Sequence, residues 1–150
     1  MSNLSIKSLF TQRDKKLIIL ADDNQLINTC TKKIISQLLN EEEITDVEII
    51  CVNDGIDVIK LYLNDEDTQK IRLIITDENM DYLNGSEAIK FIRNIERLKS
   101  KNPICIFSLT CNEDNNSGEM IIKAGANTIL NKPLSKQRIK SLIEKNNYFV

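Results

Sequence analysis

The chain has 150 residues with 41% hydrophobic and 28% charged side chains, a size and composition that fit one globular domain. No apolar run approaches the roughly 20 residues that span a bilayer, so membrane insertion is not expected. A net charge of −2 and a pI near 5.3 argue against nucleic acid as a direct partner, because such binding draws on neutralised phosphates.

The opening residues, 1–16, are polar and mixed and read as a leader or linker without the apolar core of a secretion signal, so a cytoplasmic setting is expected. From Leu17 the pattern becomes regular, and residues 17–145 are read as the folded unit, with 146–150 a short tail. Leu17 to Ala21 is a short aliphatic run of the kind buried in parallel sheets, followed by helical spacing over Ile27, Cys30, Ile34 and Leu38. Val47 to Val52 is the second such run, and Ile56, Ile59 and Leu63 share the next helical face. The third run, Leu73 to Thr76, precedes Asn84-Gly85-Ser86, a helix start for Ala88, Ile89, Ile92 and Ile95. Ile104 to Leu109 and Thr128 to Leu130 complete the strands. Met120, Ile121 and Ala124 form the helix between them, which Gly125 is placed to close, and Ile139, Leu142 and Ile143 form the last, with Ser135 as its N-cap.

Five strands alternating with five helices imply an α/β fold in which a parallel sheet carries helices on both faces, since parallel neighbours require right-handed crossovers. Sites in such doubly wound sheets form outside the carboxyl ends of the strands. Those positions hold Asp22 and Asp23, Asp77, Thr110, and Lys132 followed by Pro133. An acidic doublet alone is explained by the start of a helix, and a single lysine by a solvated surface. Polar groups at nearly every strand end are harder to explain separately.

The chain contains no histidine, which removes Ser-His-Asp and Cys-His catalysis, the usual zinc hydrolase sites, and a phosphohistidine carried by the chain itself. Three carboxylates drawn together repel one another unless a cation neutralises them. A donor set of hard oxygens without sulfur or imidazole selects Mg²⁺, or Mn²⁺ in its place. Beside a metal and an ammonium group, a central carboxylate can attack a phosphoryl donor, and Asp77 is that candidate. Cys30, Cys51, Cys105 and Cys111 show no Cys-x-x-Cys spacing and are read as small core residues.

Ile-Leu-Ala-Asp-Asp-Asn at 19–24, Ile-Ile-Thr-Asp-Glu-Asn-Met at 74–80, Ser-Leu-Thr at 108–110 and Asn-Lys-Pro-Leu at 131–134 resemble the response-regulator receivers of two-component signalling over Lys16 to Glu144. The Asp-Asp-Asn run with Asn28 is most similar to receivers of hybrid histidine kinases. The resemblance implies a flavodoxin-like (βα)5 fold with strand order 2-1-3-4-5, a phosphoacceptor at Asp77, and a histidine kinase or histidine phosphotransfer protein as donor. It also implies Mg²⁺ held by the Asp23 and Asp77 carboxylates and the Asn79 carbonyl, with Asp22 acting through coordinated waters. Thr110 and Lys132 would contact the phosphoryl group, and the Lys132-Pro133 bond would be cis. Such receivers commonly carry proline four residues after the phosphoacceptor and an aromatic residue three before the lysine; here Asp81 and Ile129 stand at those positions. Donors of this kind would dock on Gln25, Leu26, Ile27 and Leu134, around the acidic rim.

Two other readings differ in class. A phosphatase of the haloacid dehalogenase type also uses an aspartyl nucleophile with Mg²⁺, but it needs Asp-x-Asp at one strand end, which Asp22-Asp23-Asn24 does not supply. The other is a receiver-like interaction module without phosphorylation, opposed by the full set of five site residues. The chain is read as a stand-alone receiver or one cut from a larger kinase.

Overall fold

The computed structural model describes residues 15–65, 69–111 and 115–146. Most of the expected leader and residues 147–150 of the expected tail lie outside them. Among the described residues, β1 (Lys16–Ala21), β2 (Val47–Val52), β3 (Ile71–Asp77), β4 (Cys105–Thr110) and β5 (Thr128–Asn131) alternate with five helices: α1 (Gln25–Glu41), α2 (Gly55–Asn64), α3 (Gly85–Leu98), α4 (Asn115–Ala124) and α5 (Lys136–Asn146). All strand pairs are parallel and the sheet order is β2-β1-β3-β4-β5, as the resemblance implies.

Alternation along the central strands supplies both cores. Ile18 and Leu20 of β1, Leu73 and Ile75 of β3, and Phe107 and Leu109 of β4 face α1 and α5. Ile19, Ile74 and Ile106, one position out of phase, face α2, α3 and α4. Each of these apolar side chains is almost fully buried, a burial that stabilises by about 1.5–3 kcal/mol per residue before chain entropy is counted. β3 and β4 are the most buried strands, so Asp77 and Thr110 at their last positions are carried at the centre of the sheet.

The helix boundaries follow local chemistry. Asn24 caps α1 by accepting from the Leu26 and Ile27 amides, and the Arg138 amide donates to Ser135 Oγ at the start of α5. Gly125 closes α4 with φ of +118°, and a Cβ there would strike the Arg93 side chain. Asn84 precedes α3, but its side chain accepts from the Met80 amide instead of capping the helix.

Three sequence expectations are corrected. On α2 the buried stripe is Gly55, Val58 and Tyr62, whereas Ile56 and Leu63 are 40% and 42% exposed. A short helix rich in aliphatics supports two stripes of equal period, and packing against α3 selects the one carrying the aromatic ring. On α4, Ile121 is buried while its neighbour Met120 is exposed. Of the four cysteines, Cys105 alone is a core residue, and Cys30, Cys51 and Cys111 are exposed free thiols. Cys30 falls outside the Thr31, Ile35 and Leu38 stripe of α1, Cys51 lies on the edge strand β2, and Cys111 follows β4.

Candidate acidic site at the carboxyl edge of the sheet

β1, β3, β4 and β5 end side by side, and their ends hold the expected residues. Carboxylate oxygens of Asp22, Asp23 and Asp77 all lie within 4.8 Å of one another, with Asp22 and Asp77 buried and Asp23 exposed. The Lys132 ammonium, directly after β5, donates to Asp22 Oδ2 at 2.8 Å and lies 3.1 Å from Asp77 Oδ1. Asp77 and Thr110 are the last strand residues, one step earlier than expected, which holds them in the hydrogen-bonded ladder. Thr110 is buried, and its carbonyl accepts from the Lys132 amide at 2.9 Å. The Lys132-Pro133 peptide bond is cis, as expected.

The backbone around the carboxylates is fixed at several points. Asp22 Oδ1 accepts from the Asn24 amide at 2.8 Å, which aims its other oxygen at Lys132. Buried Asn28 bridges β1 and β2, its Nδ2 donating to the Asp22 and Val52 carbonyls at 3.0 and 2.8 Å. Asp77 Oδ1 accepts from the Glu78 amide at 2.9 Å. Asn79 is exposed in the loop between β3 and α3. Gly85 sits against the Asp77 carbonyl so closely that any Cβ would collide with it.

Electrostatics set the demand for a cation. The Asp77 carboxyl is held above the usual carboxylate range, by burial first and the Asp22 charge second, against the lowering effect of Lys132. Asp23 is raised as well, by partial desolvation, by its hydrogen bond and charge contact with Asp22, and by the charge of Asp81. For Lys132, burial opposes the charged form, but the bonds to Asp22 and Asp77 outweigh it and raise the ammonium above its ordinary value. One ammonium thus faces three carboxylates. The excess of hard oxygen donors fits a divalent ion such as Mg²⁺.

The expected docking residues separate. Leu26 is 71% exposed, Gln25 is exposed and Ile27 is half-buried against the α1 and α5 core. Leu134 is only 9% exposed and belongs to that core, so its expected place on an accessible rim is corrected. Asp81 is exposed, and Ile129 packs into the opposite core, toward α4.

Two buried carboxylates near this edge of the sheet escaped the sequence reading. Glu78 accepts from the Ser86 amide and hydroxyl at 2.8 and 2.6 Å, pinning the start of α3. Asp54 accepts from amides on two separate elements. Glu78 beside Asp77 gave no distinct signal, and Asp54-Gly55 after a strand reads as an ordinary turn.

Residues 18–144 match the response regulator receiver domain. The chain is 29% identical over 134 residues to the CAI-1 autoinducer sensor kinase/phosphatase CqsS of Vibrio cholerae, a match covering 89% of this chain and 18% of that protein's length. It is 26% identical over 129 residues to a chemotaxis protein CheY homologue of Campylobacter jejuni, covering 85% of this chain and 88% of that one. A chain from the co-crystal structure of the Saccharomyces cerevisiae histidine phosphotransfer protein Ypd1 with the receiver domain of its response regulator Ssk1 is similar at TM-score 0.69, 20% identity and 88% coverage of each chain. The receiver domain of a Pseudomonas aeruginosa sensor histidine kinase, solved with magnesium coordinated in its active-site cleft, gives TM-score 0.68 at 23% identity, covering 87% of this chain and 96% of that one. At these identities the structural likeness is one of fold, and the family rests on the sequence match together with the strand order: the chain belongs to the response regulator receiver domains of two-component signalling.

Proposed function

We propose that this receiver takes a phosphoryl group from a phosphohistidine onto Asp77 in a Mg²⁺-dependent reaction. The observation that carries the reading is the placement of Lys132 between Asp22 and Asp77, at the edge of a three-carboxylate cluster. Asp23, Asp77 and the Asn79 carbonyl would hold the ion, with Asp22 acting through its waters. When bound, the ion neutralises charge on the carboxylates and on the transferring group.

The protein groups then divide the work. Asp77 Oδ forms the new bond to phosphorus as the phosphorus–nitrogen bond of the donor breaks and the imidazole leaves. Lys132 pairs with charge on the phosphoryl oxygens, and the Thr110 hydroxyl donates to one of them. Reversing the roles with water as nucleophile gives loss of phosphate, so the domain would promote its own phosphorylation and dephosphorylation without turning over a separate substrate.

A histidine kinase or histidine phosphotransfer protein is the proposed donor. The relatives support this, since one is a sensor kinase and one neighbour was crystallised with a phosphotransfer protein. The proposed unit is 17–145, with 1–16 as leader or linker and 146–150 as tail. No helix among the described residues is long and apolar enough to cross a membrane, and a cytoplasmic location is proposed.

Incubation with acetyl phosphate and Mg²⁺, followed by intact mass measurement, tests the function. One phosphoryl addition is expected, absent in EDTA and absent in Asp77→Asn. An addition that persists in Asp77→Asn assigns the phosphate elsewhere, and no addition to the wild type leaves the interaction-module reading.

A further inference from the structure

The loop between β3 and α3, residues 78–84, carries Asn79 and Asp81 beside the acidic cluster. Its first residue is fixed by bonds to its own neighbours: Glu78 N–H donates to Asp77 Oδ1, and Gly85 N–H donates to the Glu78 carbonyl. Its last residues are fixed from another element. Asp54, 6% exposed at the N-cap of α2, accepts from the Tyr82 amide at 2.9 Å on Oδ1 and from the Leu83 amide at 3.1 Å on Oδ2. Gly55 completes the clamp by donating its N–H to the Leu83 carbonyl at 3.1 Å, so close an approach that a Cβ at Gly55 would collide with that oxygen.

An ordinary N-cap needs none of this. The bond from the Ile56 amide to Asp54 Oδ2 at 3.0 Å already supplies the side-chain cap of α2. The further acceptor capacity is spent on a loop 28 residues away in the chain. That loop has no proline to restrict it, so its backbone order depends on hydrogen bonds.

We propose that Asp54 is a positioning residue for the metal-binding loop: through the Tyr82 and Leu83 amides it sets the backbone from which Asn79 would offer its carbonyl. The inference rests on the Mg²⁺ reading of the acidic cluster. Groups that orient metal ligands typically change affinity by about 10–100-fold when removed, without touching the ion.

The test uses the full chain and four proteins: wild type, Asp54→Ala, Asp54→Asn and Asp65→Ala. Asp65 is the control because it is another buried carboxylate that accepts backbone amides, those of Lys70 and Ile71, at the opposite end of the sheet. Amide hydrogen exchange over 78–84 is measured without metal, and Mg²⁺ affinity by calorimetry. Asp54→Ala is expected to speed exchange in the loop and weaken Mg²⁺ by about 10-fold. Asp54→Asn keeps one acceptor oxygen and should fall between it and the wild type. Asp65→Ala should lose stability with the loop and the Mg²⁺ affinity unchanged. Wild-type affinity in Asp54→Ala overturns the proposal, as does an equal loss in Asp65→Ala; if the alanine variant does not fold, Asp54→Asn decides by the same two readings. A wild type that binds no Mg²⁺ overturns the metal reading instead, and loop exchange unchanged in Asp54→Asn and Asp54→Ala then overturns the clamp separately.

Discussion

Lys132 Nζ reaches Asp22 at 2.8 Å, and this bond crosses the sheet from β5 to β1 over the ends of β3 and β4. The ammonium therefore has two tasks, neutralising the cluster and contacting Asp77.

Lys132→Met should expose the cost of both. Losing its charged hydrogen bonds is expected to lower stability by roughly 1–3 kcal/mol at neutral pH, read as a shift in urea midpoint. The folded ammonium is raised above its ordinary value, so its contribution is complete below the unfolded lysine pKa of about 10.4 and fades as pH rises through the folded value. The gap between wild type and variant should close in strongly alkaline urea titrations. Acetyl phosphate labelling should fall by about 10²–10³, the scale for removing one preorganised charge-stabilising donor. A variant labelled at the wild-type rate would remove Lys132 from the chemistry.

Asp77→Asn is expected to raise the stability of the metal-free protein while abolishing labelling. Burial and the Asp22 charge push the Asp77 carboxyl up, so the native state binds its proton more readily than the unfolded state. Stability drawn from this group therefore falls as pH rises through the window above the unfolded carboxylate value of about 3.9. The urea midpoint of Asp77→Asn should exceed that of wild type at pH 7, and the difference should shrink below the unfolded value. Saturating Mg²⁺ should narrow the difference at pH 7. An Asp77→Asn midpoint below that of wild type would contradict the repulsion described for this cluster.

The strand ends were legible because backbone periodicity fixes them: once Leu73 to Thr76 reads as a buried strand, Asp77 can stand only at its carboxyl edge. The same logic found Thr110 and Lys132. Leu134 was misplaced because one leucine after a proline carries no period, and its burial depends on α1 and α5 meeting across it. Cys30 and Cys51 were misplaced because an apolar residue near a helical stripe, or on a strand with one neighbour, follows the pattern without sharing the burial. Asp54 was illegible for a further reason: its partners are backbone amides of Tyr82 and Leu83, and any sequence supplies those.

The opposite end of the sheet should carry stability without carrying chemistry. Arg93 donates to the Gly125 and Ile104 carbonyls, to Asn127 Oδ1 and to Glu96 Oε1, and the buried Glu96 also accepts from the Ile104 amide. Arg93→Ala leaves Glu96 buried without its cation and is expected to cost about 3–5 kcal/mol. Its labelling rate with acetyl phosphate, measured well below the unfolding transition, should match the wild type. By contrast Lys136→Ala, which breaks the exposed pair with Glu41, should cost no more than about 1 kcal/mol. Equal urea midpoints for the two variants would refute this ranking.

The last prediction separates docking from packing on the rim. Leu26 is 71% exposed in the first turn of α1, beside Asp22 and Asp23, whereas Leu134 is buried among residues of α1 and α5. An exposed leucine contributes little to folding, so Leu26→Ala should change stability by less than about 0.5 kcal/mol, read from the urea midpoint. A donor that must bring a phosphohistidine in line with Asp77 has to cover this rim, and a leucine already exposed gives it apolar area to bury. Leu26→Ala is therefore expected to slow phosphoryl transfer from a histidine phosphotransfer domain by about 10-fold, corresponding to roughly 1.4 kcal/mol of lost contact. Labelling by acetyl phosphate needs no docking and should be unchanged. Leu134→Ala reverses the pattern, costing about 2–5 kcal/mol of stability through the cavity it opens. Paired rate measurements with the protein donor and with acetyl phosphate distinguish the two effects. Transfer to Leu26→Ala at the wild-type rate would move the docking surface away from the first turn of α1.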